Sequence, residues 1–169
     1  SIGGIGMSGI AEILFQSGYN VQGSDITDGN NTNRLKKLGI KVFIGQKKSN
    51  ILNAKLVVVS TAISPKNIEY MTAKKMFLPV VHRSEMLGEL MRLKQSIAIA
   101  GTHGKTTTTS LIAKMIEENG MDPTIINGGI ISSLDSNAKL GNGEWMIVEA
   151  DESDGSFAKL NPTVAIITN

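Results

Sequence analysis

The sequence contains no cysteine. That excludes disulfides, thiolate metal sites and a cysteine nucleophile, and it fits a reducing, cytoplasmic setting. Histidine is nearly absent too, with only His82 and His103, and no His/Asp/Glu spacing suggests zinc. No apolar run approaches the roughly 20 residues that span a bilayer, and no signal peptide is visible. Charge is almost balanced, with 17 Lys and Arg against 15 Asp and Glu. A net charge of +2 is too small to point to nucleic acid or to a membrane surface. Aromatic residues make up 4% of the chain, but 41% of it is hydrophobic and 19% charged, as in ordinary globular domains.

What the chain does have is alternation of short β-branched runs with helical stretches. Helices are expected at 10–17, 31–38, 67–76, 83–92 and 106–119. Strands are expected at 19–24, 40–44, 56–60, 79–81, 96–100, 124–127, 145–149 and 164–168. Leu56-Val57-Val58-Val59 reads as a strand buried on both faces of a parallel sheet. Residues 128–142 are rich in glycine and serine and read as loop with one helical turn. Leu111, Ile112, Met115 and Ile116 give the last helix one apolar face, and Met7, Met71, Met76, Met86, Met91 and Met115 read as core filler. Repeated βα units imply an α/β fold with parallel sheets. Two domains are expected, 1–93 and 94–169. Almost no strand precedes the first glycine turn, and 164–169 reads as a strand just completed, so the chain is expected to be a piece of a longer one.

The strongest chemical signal is Gly101-Thr102-His103-Gly104-Lys105-Thr106-Thr107, between an apolar strand and a helix. Glycines let backbone N–H groups approach phosphate oxygens, and the helix N-terminus adds unpaired donors. Lys105 suits the β- and γ-phosphates, and the Thr106 hydroxyl suits Mg²⁺. The first glycine of the general phosphate-loop pattern is replaced by Ile99. An acidic partner for such a loop belongs at the end of a neighbouring strand, where Glu149 stands, followed by Asp151, Glu152 and Asp154. Glu149 is the first choice for a metal ligand; the others read equally well as solvated loop residues. The His103 side chain either lines the loop or points to solvent.

A second glycine motif, Gly4-x-Gly6-x-x-Gly9, has the spacing of a dinucleotide fingerprint, and Asp25 follows at the end of the next strand. The motif seats a pyrophosphate, as in NAD or a UDP-sugar, or serves only close helix–sheet packing. Asp25 binds ribose or begins a turn. His82 and Arg83 follow a strand, where they either meet a ligand or lie on the surface.

Together these pieces resemble the Mur ligases. The resemblance rests on the opening run Ser1-Ile2-Gly3-Gly4-Ile5-Gly6-Met7-Ser8-Gly9-Ile10-Ala11-Glu12, on residues 101–109, and on Val148-Glu149-Ala150-Asp151-Glu152-Ser153-Asp154. The Met7-Ser8-Gly9 form is most similar to the alanine-adding branch, more than to the branch that reattaches recycled tripeptide. Ser132 and Asp135 depart from the Asn and Gly that the resemblance would place there.

The resemblance implies a Rossmann-like parallel-sheet domain for a UDP-sugar, followed by the start of a P-loop ATPase-type α/β domain. A third domain lies outside this chain. It implies ATP and Mg²⁺ as cofactors and UDP-N-acetylmuramate and L-alanine as substrates, joined through an acyl phosphate. Lys105, Thr106 and Glu149 become catalytic, with Thr106 and Glu149 on the metal and residues 101–107 on ATP. Gly4, Ile5, Gly6, Met7 and Ser8 seat the UDP diphosphate, with Asp25 near uridine. Ala62 and Ile63 line the diphosphate path, and His82 and Arg83 the sugar end. The chain alone is expected to lack ligase activity. An NAD-dependent oxidoreductase, a P-loop switch and a non-catalytic UDP-sugar module are the competing classes.

Overall fold

A computed structural model describes residues 1–131, 136–150 and 160–169. Ser132, Asp135, Asp151, Glu152, Ser153 and Asp154 lie outside the described residues. The chain forms two compact units, Ser1–Met86 and Leu87–Asn169.

The first unit begins with α1 (Ile5–Gln16), followed by β1 (Gln22–Asp25), α2 (Asn30–Lys37) and β2 (Lys41–Ile44). After a 3₁₀ turn (Lys48–Ile51) come β3 (Val57–Val59), α3 (Ile68–Lys75) and β4 (Val80–His82), which runs directly into α4 (Arg83–Arg92), whose residues from Leu87 on are counted in the second unit. β1 pairs in parallel with β2, and β3 with β4. The core lies between α1, α2 and the first ladder, where Ile2, Ala11, Leu35 and Ile40 pack with Phe15, Val21 and Val42. Val57, Val58 and Val59 are only half-buried, against the expectation of a fully buried strand. Among the described residues their sheet has β4 as its one partner strand.

Local chemistry fixes the ends of these helices. Asn67 Oδ1 accepts from the Glu69 and Tyr70 amides (2.8 and 3.1 Å) and caps α3. The Gly29 amide donates to Thr32 Oγ1 (2.7 Å), which itself donates to Asp28 Oδ1 (2.6 Å), and Arg34, Lys36 and Lys37 sit in the last turn of α2, where cations suit the dipole. Glu12 of α1 forms an ion pair with Arg34 of α2, joining the two helices.

Asp25 ties the start of the chain to the end of β1. Its carboxylate accepts from Ser1 Oγ (2.6 Å), the Gly3 amide (2.8 Å) and the Ile26 amide (2.8 Å). Burial alone would raise this carboxyl, but the hydrogen bonds outweigh it and hold it below the ordinary aspartate value.

The second unit contains β5 (Gln95–Ala100), α5 (Lys105–Glu118), β6 (Thr124–Ile131), β7 (Ser136–Lys139), β8 (Trp145–Glu149) and β9 (Val164–Ile167). Its sheet has the order β7-β6-β8-β5-β9, parallel except for the β6–β7 pair. Central β5 and β8 are almost wholly apolar, as a sheet with neighbours on both edges requires. Ile97, Ile99, Ala113, Ile125 and Ile147 form the core, with Ile112 and Ile116 of α5 packed against it.

Two expectations are corrected here. Residues 128–131 extend β6, and 136–139 form an antiparallel strand, where loop with one helical turn was expected. Backbone pairing builds this hairpin, so its glycines and serines gave no strand signal. The buried stripe of α5 is Thr109, Ile112, Ala113 and Ile116, one residue out of phase with the expected face; Leu111 and Met115 are exposed. Met71 and Met76 are exposed as well, so among the methionines Met7 and Met91 are core residues but these are not.

The Thr109 hydroxyl is buried without a hydrogen-bond partner among the described residues. Thr109→Val is therefore expected to leave stability unchanged or raise it by about 1 kcal/mol, whereas Leu35→Ala, at a fully buried site, should cost about 2–5 kcal/mol in urea unfolding. For Asp25 the depressed carboxyl sets the sign of the pH dependence. Stability gained over Asp25→Asn should be fully present above the unfolded carboxyl value of about 4 and should fade as pH falls below it. Parallel melts of the two proteins across that range would check it.

Candidate functional site

The register of β5 brings the carboxyl ends of three strands side by side. Ile99 is opposite Glu149 of β8, and Ala100 is opposite Ile167 of β9. Residues 101–104 turn from β5 into α5, with Gly101 at φ +130° and Gly104 at φ +81°. A Cβ at Gly101 would collide with Thr168 Oγ1, so both the conformation and the space require glycine there. α5 starts at Lys105 without a side-chain cap, which leaves its first-turn donors for another acceptor.

Lys105 Nζ folds back onto the loop and donates to the carbonyls of Gly101 (2.5 Å) and Thr102 (3.5 Å). Thr106 Oγ1 donates to Glu149 Oε2 (2.9 Å), which also accepts from the Gly128 amide of β6 (2.9 Å). A Cβ on Gly128 would stand 2.6–2.9 Å from the Glu149 carboxyl atoms, so a larger residue there would have to displace that carboxylate. Thr102, His103 and Thr107 are exposed around the loop. The structure thus brings together residues 101–107 and Glu149, three strands and one helix away from each other in sequence.

A half-buried carboxylate beside a threonine hydroxyl is a pair of hard oxygen donors, and it fits a Mg²⁺ ion that keeps waters and phosphate oxygens for its other positions. Among the described residues there is no cluster of three or more His, Cys, Asp or Glu that would hold a metal by itself.

Sequence reasoning missed two contributors. Asn169 Oδ1 accepts from the Thr102 and His103 amides (2.8 and 3.1 Å). Thr168 Oγ1 donates to the His103 carbonyl (2.6 Å). Their place at the end of β9 was legible, but the parallel pairing of β9 with β5 was not. Asn127, buried beside Gly128, was also passed over; its amide reaches toward Ser110 Oγ (3.4 Å).

In the first unit the glycine motif is the start of α1 rather than a free loop. Gly4 and Ile5 are exposed and Gly6 half-buried, whereas Met7 and Ser8 are buried in the helix body. Ser8 Oγ donates to the Ile5 carbonyl (2.9 Å) and accepts from Arg34 (3.3 Å), so its hydroxyl is engaged inside the fold. An Arg83 guanidinium nitrogen lies where a Cβ on Gly6 would be, which puts a cation against the N-terminal turn of α1. A polar cleft of about 190 Å³ lies beside this turn, lined by Gly3, Asp25, Thr27, Gly29, Asn30, Asn31 and Thr32.

His82, at the end of β4, caps α4. Its Nδ1 accepts from the Ser84 amide (3.3 Å) and lies 2.8 Å from Ser84 Oγ, while its own amide donates to Glu85 Oε2 (2.9 Å). With Nδ1 engaged as an acceptor, Nε2 carries the proton; it is buried without a partner among the described residues. Ala62 and Ile63 lie in the turn after β3, at the same end of the ladder where Val59 pairs with His82.

Comparison with known proteins bears on both units. The family model for the Mur ligase family, catalytic domain, matches residues 1–95, and that for the Mur ligase middle domain matches residues 99–169. The chain is 64% identical to UDP-N-acetylmuramate–L-alanine ligase of Parvibaculum lavamentivorans over 99% of this chain and 34% of that protein. It is 61% identical to the protein of the same name from Rhodospirillum rubrum, over 99% of this chain and 35% of that protein. It spans about a third of the length of these curated relatives.

Among solved structures it is similar to UDP-N-acetylmuramate-alanine ligase MurC from Thermotoga maritima, with a TM-score of 0.93 at 35% identity, over 100% of this chain and 40% of that one. UDP-N-acetylmuramate:L-alanyl-gamma-D-glutamyl-meso-diaminopimelate ligase from Neisseria meningitides gives a TM-score of 0.90 at 26% identity, over 99% of this chain and 58% of that one. With more than half of its residues inside the first family model and residues 99–169 inside the second, this chain belongs to the Mur ligase family.

Proposed function

We propose that this chain supplies the sugar-nucleotide domain and the ATP loop of a ligase that joins L-alanine to UDP-N-acetylmuramate in cytoplasmic peptidoglycan precursor synthesis. The observation that carries the reading is the convergence of Lys105, Thr106 and Glu149 at the ends of β5 and β8. Identity of 60–64% to relatives of that name supports the alanine-adding branch.

In this reading the lactyl carboxylate attacks the γ-phosphorus of ATP, the bond to the β-phosphate oxygen breaks and ADP leaves. The L-alanine amine then attacks the carbonyl of the acyl phosphate, loses a proton and expels phosphate. Oxide is too poor a leaving group for direct amide formation, which is why the carboxylate is activated first. The loop residues address the crowding of anions that this requires. Lys105 exchanges its two carbonyl partners for the β- and γ-phosphates, and the first turn of α5 offers amide donors. Thr106 and Glu149 would hold Mg²⁺, which supplies charge neutralisation at the transferring phosphoryl group.

The first unit provides the other anion site. The N-terminal turn of α1 and the Arg83 guanidinium beside Gly6 suit a diphosphate. The cleft at Asp25 suits the uridine end, and the His82 Nε2, without a partner among the described residues, suits a hydrogen bond at the sugar end. Asp25 already accepts from Ser1, Gly3 and Ile26, so it has little acceptor capacity left for the ribose diol that an NAD enzyme would present.

Calorimetric titration tests the reading. UDP-N-acetylmuramate should bind the chain, NAD should not, and Gly6→Val, which displaces Arg83, should weaken the sugar nucleotide at least tenfold. Binding of NAD in place of the UDP-sugar would overturn the assignment. The chain alone should form no amide product from ATP, L-alanine and UDP-N-acetylmuramate, since it spans only a third of its relatives.

A further inference from the structure

The phosphate loop is held from two opposite sides. In a trans peptide the carbonyl and the amide point in opposite directions. The carbonyl of Gly101 accepts from Lys105 Nζ, and the amide of the same peptide unit, on Thr102, donates to Asn169 Oδ1. The next unit repeats the arrangement: the Thr102 carbonyl faces Lys105 and the His103 amide faces Asn169. Lys105 and Asn169 therefore lie at opposite edges of the same two peptide planes.

Thr168 completes the outer side. Its amide donates to the Ala100 carbonyl (3.0 Å) and its hydroxyl to the His103 carbonyl (2.6 Å). Ala100 at the end of β5 and the loop residues Thr102 and His103 are thus tied to one dipeptide that follows β9. Gly101 and Gly104, both at positive φ, contribute no side chain to stiffen either end of this turn.

We propose that Asn169 is a positioning residue of the phosphate loop, its carboxamide oxygen bracing the Thr102 and His103 amides on the face away from Lys105. The brace holds the loop in shape while Lys105 turns from the carbonyls to the phosphates, so the ordering is in place before nucleotide arrives. The inference rests on the nucleotide-loop reading of residues 101–107. It assigns to Asn169 no contact with nucleotide or metal.

The test combines amide hydrogen exchange with Mg-ATP titration on the chain. In Asn169→Ala the Thr102 and His103 amides should exchange at least tenfold faster without nucleotide, and Mg-ATP should bind about tenfold more weakly. Asn169→Asp keeps an oxygen acceptor in the same place and should retain slow exchange at both amides, which a general loss of folding would not. UDP-N-acetylmuramate affinity should not change in either variant.

Unchanged exchange in Asn169→Ala would overturn the proposal, as would tighter Mg-ATP binding, which would make the carboxamide a competitor of phosphate. Lys105→Ala separates this from the underlying reading. If Lys105→Ala binds Mg-ATP as well as the parent chain, the nucleotide reading fails and the exchange rates alone decide the role of Asn169.

Discussion

The Glu149 carboxylate is the point on which the second unit's site depends. It receives the Thr106 hydroxyl from the first turn of α5 and the Gly128 amide from β6. One oxygen thus joins the end of a central strand, the start of the loop helix and a neighbouring strand. The apolar layer beneath makes this possible. Ile147 and Val148 of β8 are wholly buried, so β8 is fixed by packing and its last residue emerges at the sheet's carboxyl edge. Parallel pairing with β5 then sets Glu149 level with Ile99, two residues before the loop glycine. A carboxylate at that point complements Lys105 and the positive end of the α5 dipole, and carboxylate and threonine oxygens are the donor types that hard cations take.

The first unit is organised differently. Its helix begins inside the glycine motif, with Gly4 and Ile5 exposed and Gly6 half-buried, while Met7 and Ser8 anchor the helix in the core. Asp25 ties this turn to β1, and Arg83 supplies the cation from the start of α4. His82, the residue before Arg83, caps α4 with its ring, and its Nε2 has no hydrogen-bond partner among the described residues.

Local features of this fold were legible in the sequence. The glycine turn between strand and helix, α4 over 83–92 and β8 over 145–149 all follow from turn residues and periodicity. The carboxylate at the end of β8 was legible by position. What was not legible depends on pairing between distant segments. β7 has no propensity signal because Ser136 and Asn137 are placed by their ladder with β6 and are buried there. The α5 stripe was misread because Leu111 and Met115 are more hydrophobic than Thr109 and Ala113, yet it is the latter pair that faces the sheet. The Asn169 brace needs β9 beside β5, 67 and 66 residues from its partners.

The most direct test of the account is the magnesium dependence of ATP binding in Glu149→Gln. Glutamine keeps an acceptor for Thr106 and Gly128, so the fold persists while the charge is lost. The account predicts that Mg²⁺ strengthens ATP binding to the parent chain and that this gain falls about tenfold or more in the variant, with metal-free binding unchanged or tighter. A variant that retained the full magnesium gain would contradict the assignment of Glu149 as a metal ligand, and with it the central claim about this site.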